Sequence, residues 1–111
     1  MTAALTGRPR LRLPATAQAG EVVEIRTLVD HPMETGLRKG DDGQPVPRDM
    51  LARLIVRANG AVVFAAEFRN ATSANPYLVF FLTIERTTEL AFTWLHEDGR
   101  SLTAAACIVV A

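Results

Sequence analysis

The sequence predicts an all-β protein, an immunoglobulin-like β-sandwich of about seven antiparallel strands. Three observations carry this expectation. Apolar and polar residues alternate with a period of two over several short runs. Turn-forming dipeptides, Asn59-Gly60 and Asp98-Gly99 among them, recur between those runs. No stretch carries a long amphipathic pattern of helical period. At 111 residues, one domain over 1–111 is expected, with residues 1–9 as a flexible N-terminus.

The elements follow in order. Leu11–Leu13 reads as a short first strand that Pro14 ends, and Ala19-Gly20 marks a turn. In Glu21–Asp30, Val23, Ile25, Thr27 and Val29 share one face and Glu24 and Arg26 the other, the pattern of a half-buried antiparallel strand. Leu51–Arg57 and Ala61–Arg69 flank Asn59-Gly60, which predicts a tight hairpin because both turn residues must take positive φ. Asp49–Arg57 has some helical propensity, but the hairpin signal favours strand. Val62, Phe64, Ala66 and Phe68 share a face in the second arm. Tyr77–Ile84 is apolar on both faces, Glu89–His96 puts Leu90, Phe92 and Trp94 together, and Leu102–Val110 is again apolar on both. The Cys…Trp…Cys spacing of antibody domains is missing.

Two segments break this rhythm. His31–Pro47 is too long for a hairpin loop, and loops of that length tend to be functional or disordered. Arg69–Pro76 is shorter and polar, and Pro76 is expected to hold Asn75 extended.

Composition narrows the function classes. Twelve Lys and Arg balance twelve Asp and Glu, so the basic face of a nucleic-acid binder and the polybasic patch of a membrane clamp are both unexpected. No apolar run approaches the roughly 20 residues of a membrane span. Cys107 is the only cysteine, which rules out an internal disulfide. Met1–Arg12 lacks the apolar core of a secretory signal, so the residues alone read as cytoplasmic. Yet 49% of the residues are apolar and only 22% charged, with no net charge to keep the chain apart from others. That excess points to a partner.

Catalytic and ligand-binding patterns are weak. His31, Glu34, Asp41, Asp42 and His96 are metal-ligand types, but their spacing fits no zinc pattern. Asp41-Asp42-Gly43 is too short for a calcium loop. Cys107 lies among Ala104, Ala105, Ala106, Ile108 and Val109, the setting of a buried small hydrophobe and not of a thiolate. Ser73 or Ser101 with either histidine lacks a nucleophile elbow. Trp94, a conceivable stacking platform, reads as core, and Asn70-Ala71-Thr72 is a glycosylation sequon of a kind common by chance. No catalytic residue, cofactor or metal is therefore expected. A protein interface is, because only one face of each strand in a two-layer sandwich meets the core. The second apolar face of Tyr77–Ile84 or Leu102–Val110 would be exposed unless His31–Pro47 covers it. A stand-alone ligand-binding or adhesive sandwich is the alternative.

The block Glu24-Ile25-Arg26-Thr27-Leu28 running into His31-Pro32-Met33-Glu34-Thr35-Gly36-Leu37-Arg38-Lys39 resembles the signature of the SoxZ family. Asn59-Gly60, Asn75-Pro76-Tyr77 with Phe80, Phe92-Thr93-Trp94 and Asp98-Gly99 agree in order, as do Arg12-Leu13-Pro14 and Gly20-Glu21. The likeness spans about Arg10 to Val110. It implies a non-catalytic, immunoglobulin-like subunit that heterodimerises with SoxY in thiosulfate oxidation. SoxY holds the sulfur intermediate on the cysteine of a C-terminal Gly-Gly-Cys-Gly-Gly arm, and the complex docks transiently with other Sox enzymes. This chain ends Ile108-Val109-Val110-Ala111, without that arm, so the resemblance is to the Z subunit. It also implies a periplasmic address, reached by co-export with a signal-bearing partner. Candidate interface residues are His31, Pro32, Met33, Glu34, Thr35, Gly36, Leu37, Arg38 and Lys39 of the long loop, with Asn75, Pro76, Tyr77, Phe80 and Phe81; Trp94 is a weaker candidate anchor. If the uncharged Leu102–Val110 is an edge strand, it needs covering.

Overall fold

The computed structural model describes residues 7–111. Eight strands, β1 (Pro9–Arg12), β2 (Thr16–Ala17), β3 (Glu21–Val29), β4 (Leu51–Ala58), β5 (Ala61–Glu67), β6 (Tyr77–Ile84), β7 (Thr88–His96) and β8 (Ser101–Val110), make an all-β sandwich. One sheet has the order β1-β3-β6 and the other β2-β8-β7-β4-β5. Pairing is antiparallel except for β2, which runs parallel to β8 over two residues, Thr16↔Val109 and Ala17↔Val110. This eighth strand arises because Pro14 cannot extend the ladder of β1, and the chain then crosses to the opposite sheet. Of the expected flexible stretch 1–9, residues 1–6 lie outside the described residues, and Pro9 already belongs to β1.

The alternating strands bury the faces their patterns assign. Val23, Ile25, Thr27 and Val29 of β3 meet Leu54 and Val56 of β4, Leu90, Phe92 and Trp94 of β7, and Ile108 of β8 in one core. Phe80 of β6 stacks on Phe64 of β5 with ring centroids 4.3 Å apart. The β4–β5 hairpin turns at Asn59 (φ 48°) and Gly60 (φ 88°), the two positive-φ positions that the dipeptide supplies. Residues 51–58 are strand, so hairpin chemistry prevails over the helical propensity of Asp49–Arg57.

Two expectations are corrected. Cys107 is exposed, because the register of β8 turns Leu102, Ala104, Ala106 and Ile108 inward and Cys107 outward. Its cross-strand neighbour is Glu89, whereas a nucleophilic cysteine needs a cation beside it. Asn75 is not extended but left-handed, at φ 53°. Its side chain explains why: Asn75 Oδ1 accepts the backbone N–H of His31 at 2.8 Å, and the Asn75 N–H donates to the His31 carbonyl at 2.8 Å.

Candidate functional site

The loops at one end of the sandwich interlock. The reciprocal His31–Asn75 bonds join the two segments that carry the HPMETG and NPY motifs. Residues 31–50 are not a slack loop. Glu34 and Asp49 exchange backbone hydrogen bonds of 2.8 Å, and Lys39 bridges Pro45, so the excursion folds back on itself. Met33, in left-handed conformation at φ 51°, and Met50 are buried beneath it. Glu34 accepts a 2.6 Å hydrogen bond from Arg38. Arg48 ties three loops together: it donates to both carboxylate oxygens of Glu97 at 2.8 Å, to the Thr35 carbonyl at 2.8 Å and to Asn70 Oδ1 at 2.9 Å.

Below this lies a His–Asp–His cluster. Asp49 Oδ1 is 2.5 Å from His96 Nε2 and 3.2 Å from His31 Nε2, the latter outside hydrogen-bonding alignment. The His31 side chain is only 2% exposed. The ligand-type atoms of the three residues lie within 4.8 Å of one another. The protons decide what they can do. Met33 N–H donates to His31 Nδ1 at 3.0 Å, so the neutral ring keeps its proton on Nε2. A metal needs a bare ring nitrogen backed by an acceptor, not a donor. The cluster is thus an anchor that fastens the excursion to the end of β7.

Burial pushes the His31 pKa below its ordinary value, against the pull of the Asp49 carboxylate. Asp49 is raised by burial, but the His96 hydrogen bond and both imidazoles bring it below the usual carboxylate range overall. The Arg100 hydrogen bonds hold Asp98 at about 2. The sign follows for His31. An unfolded chain takes up its proton near the ordinary value while the folded chain still resists, so stability is full above that value and falls as pH drops through it. Thermal unfolding of the wild type is expected to shift to lower temperature between about pH 7.5 and 5.5, bracketing the ordinary histidine value. His31→Gln should flatten that slope; an equal slope in the variant would rule out His31 as its source.

Around the loops, the predicted interface residues separate. His31, Met33, Pro76 and Phe80 are buried, and Pro32, Leu37, Arg38, Lys39 and Asn75 are exposed with Tyr77 and Phe81. Phe80 is corrected from anchor to core, because adjacent residues of a strand face opposite ways. The outward row of β6 is Tyr77 (53% exposed), Val79 (38%) and Phe81 (65%); its direct neighbours on β3 are Leu28, Arg26 and Glu24, with Val22 (59%) diagonal to Phe81. The excursion 31–50 does not cover it. Arg12 and Arg26 face each other across β1 and β3 and line, with Tyr77, a hollow of about 280 Å³ on the same outer face. An apolar row with a charged border is the make-up of a protein interface. Asp49 and Arg48 escaped the sequence reading. A Pro-Arg-Asp run leaving a long loop was the only local signal, and their partners stand far away in the chain.

Fold and site thus define a β-sandwich with a braced loop end and an uncovered apolar row, and no helix among the described residues is long and apolar enough to cross a membrane. The family Sulphur oxidation protein SoxZ matches residues 11–106. The chain belongs to the SoxZ family. None of the curated proteins matches it. Among solved structures it is similar to the superoxide reductase (neelaredoxin) from Ignicoccus hospitalis, at 16% identity and TM-score 0.73, over 93% of this chain and 80% of that one. It is also similar to the sulfur carrier protein SoxY from Chlorobium limicola f thiosulfatophilum, at 11% identity and TM-score 0.66, over 92% and 74%. These likenesses show the sandwich fold alone.

Proposed function

We propose that this chain is the non-catalytic subunit of a periplasmic sulfur-carrier complex. It pairs with a SoxY-type carrier, whose cysteine arm holds the sulfur intermediate, and the pair presents that arm to successive Sox enzymes. The observation that carries the reading is the uncovered row Tyr77, Val79 and Phe81 on a chain of the SoxZ family. A monomer gains nothing by exposing that row, whereas a partner buries it. The charged residues beside it on the sheet, Arg26 with its ion-pair partner Glu24 and Arg12 across from Arg26, suit a polar rim that guides partner choice more than it adds affinity.

Co-expression with a SoxY-type carrier tests this. A stable complex that survives gel filtration is expected; a monodisperse monomer alongside free carrier would refute the reading. The chain's own cysteine is not the carrier in this account, since Cys107 sits in mid-strand without a glycine hinge. Cys107→Ala is expected to leave sulfur transfer by the reconstituted complex within about twofold of wild type, as for a surface change. Loss of transfer in that variant would place chemistry on this subunit.

A further inference from the structure

We infer that the partner joins this subunit by strand addition: an extended segment of the carrier pairs with the open edge of β6. This rests on the pairing proposed above and specifies its geometry.

The two edges of the smaller sheet are unlike. β1 is four residues long and carries Pro9, Arg10 and Arg12, devices that discourage a further strand. β6 is eight residues long, has no charged residue and no proline, and among the described residues pairs only with β3. Its free backbone groups follow from the ladder. The Val29 N–H donates to the Pro76 carbonyl at 3.2 Å, in register with Thr27↔Leu78 and Ile25↔Phe80. In an antiparallel pair, hydrogen-bonded positions alternate with non-bonded ones. Leu78, Phe80, Leu82 and Ile84 therefore bond to β3, while the N–H and C=O of Tyr77, Val79, Phe81 and Thr83 point out of the edge.

The seam beside that edge is also open. Phe64 and Phe68 are only half-buried although they pack on the core. Hollows of about 410 and 370 Å³, each lined by residues of β6 and of the β5 arm, lie along it: one holds Phe68 and Leu78, the other Val63 and Leu82. A row of outward backbone groups recognises an extended backbone, and the apolar floor of these hollows, Phe68 with Leu78 and Val63 with Leu82, receives alternate apolar side chains between polar walls. The seam is continuous with the outward row Tyr77, Val79 and Phe81, so one partner covers both. The occupant is an uncharged, alternately apolar strand of the carrier.

Hydrogen exchange on the full chain, alone and in complex with the carrier, tests this. The amides of Tyr77, Val79, Phe81 and Thr83 are expected to exchange at least about tenfold more slowly in the complex. Val79→Pro removes one outward donor at an edge position that tolerates proline, and should weaken the complex at least about tenfold more than Val79→Ala, which removes only the side chain. A complex that forms without slowing these amides would overturn the strand addition and leave the proposed pairing standing. Failure to form any complex would overturn both. Protection of the same amides in the chain alone, rising with its concentration, would overturn the assignment in favour of a second copy of this chain.

Discussion

Phe81→Asp is expected to abolish stable pairing with a SoxY-type carrier and to leave the fold intact. Phe81 is 65% exposed, so its ring contributes little to the core, and an aspartate there stands in solvent opposite Glu24, a like-charge pair that costs about 1 kcal/mol or less. In the proposed complex the ring serves as an anchor beside Tyr77 and Val79. Its replacement removes an apolar contact and forces a carboxylate into a desolvated patch. Central aromatic anchors cost about 2 kcal/mol or more when truncated, which is roughly thirtyfold in affinity, and the added charge increases that. Titration calorimetry against the carrier measures the loss, and cooperative thermal unfolding within about 8 °C of wild type shows that the fold persists. Undiminished binding would mean that the partner sits elsewhere.

Trp94→Ala is expected to produce the opposite signature, a collapse of stability with no specific effect on recognition. The indole is 1% exposed and packs at 6.2 Å, ring to ring, from Phe92. Deleting a buried aromatic of this size costs about 3–5 kcal/mol through lost burial and the cavity that remains. A domain of this length holds about 5–15 kcal/mol in all, so the variant should be largely unfolded at modest denaturant. Urea unfolding measures it. A cost under about 1 kcal/mol would mean that the strand order around β7 is wrong and would reopen the reading of Trp94 as a ligand platform.

These two residues show what the sequence made legible. Trp94 was assigned to the core by period-two alternation with Leu90 and Phe92, and the structure puts all three there. The Asn59-Gly60 turn was equally plain, since few other dipeptides take two positive φ values in succession. Both signals are local. Phe80 and Phe81 were harder: in a run apolar on both faces, alternation cannot tell inside from outside, and only the register against β3 assigns Phe81 outward. Cys107 faces outward against its sequence expectation for the same reason. A flank of alanines describes the neighbours along the chain, but exposure is set by which face the register turns out. Asn75 shows another limit, since the proline after it was a local signal and a distant hydrogen bond to His31 overrode it.

The loop cluster was half visible. The HPMETG and NPY motifs stood out in the sequence, but their contact spans forty-four positions, and no spacing rule predicts it. In the sequence His31 and His96 are ligand types without a partner. Asp49, the residue that unites them, looked like an ordinary charge at the end of a loop. The backbone donors on the two Nδ1 atoms, Met33 N–H and Asp98 N–H, put the ring protons on Nε2 and turn a set of metal-ligand residue types into a brace held by the His96–Asp49 hydrogen bond.

Everything functional in this account depends on the chain having a carrier partner at its β6 face. The most direct measurement is calorimetric titration of the full chain with a purified SoxY-type carrier, run in parallel with Phe81→Asp. Saturable binding by the wild type and none by the folded variant is the expected result. A wild-type chain that stays monomeric and takes up no heat with the carrier, or a variant that binds as well as the wild type, would contradict it.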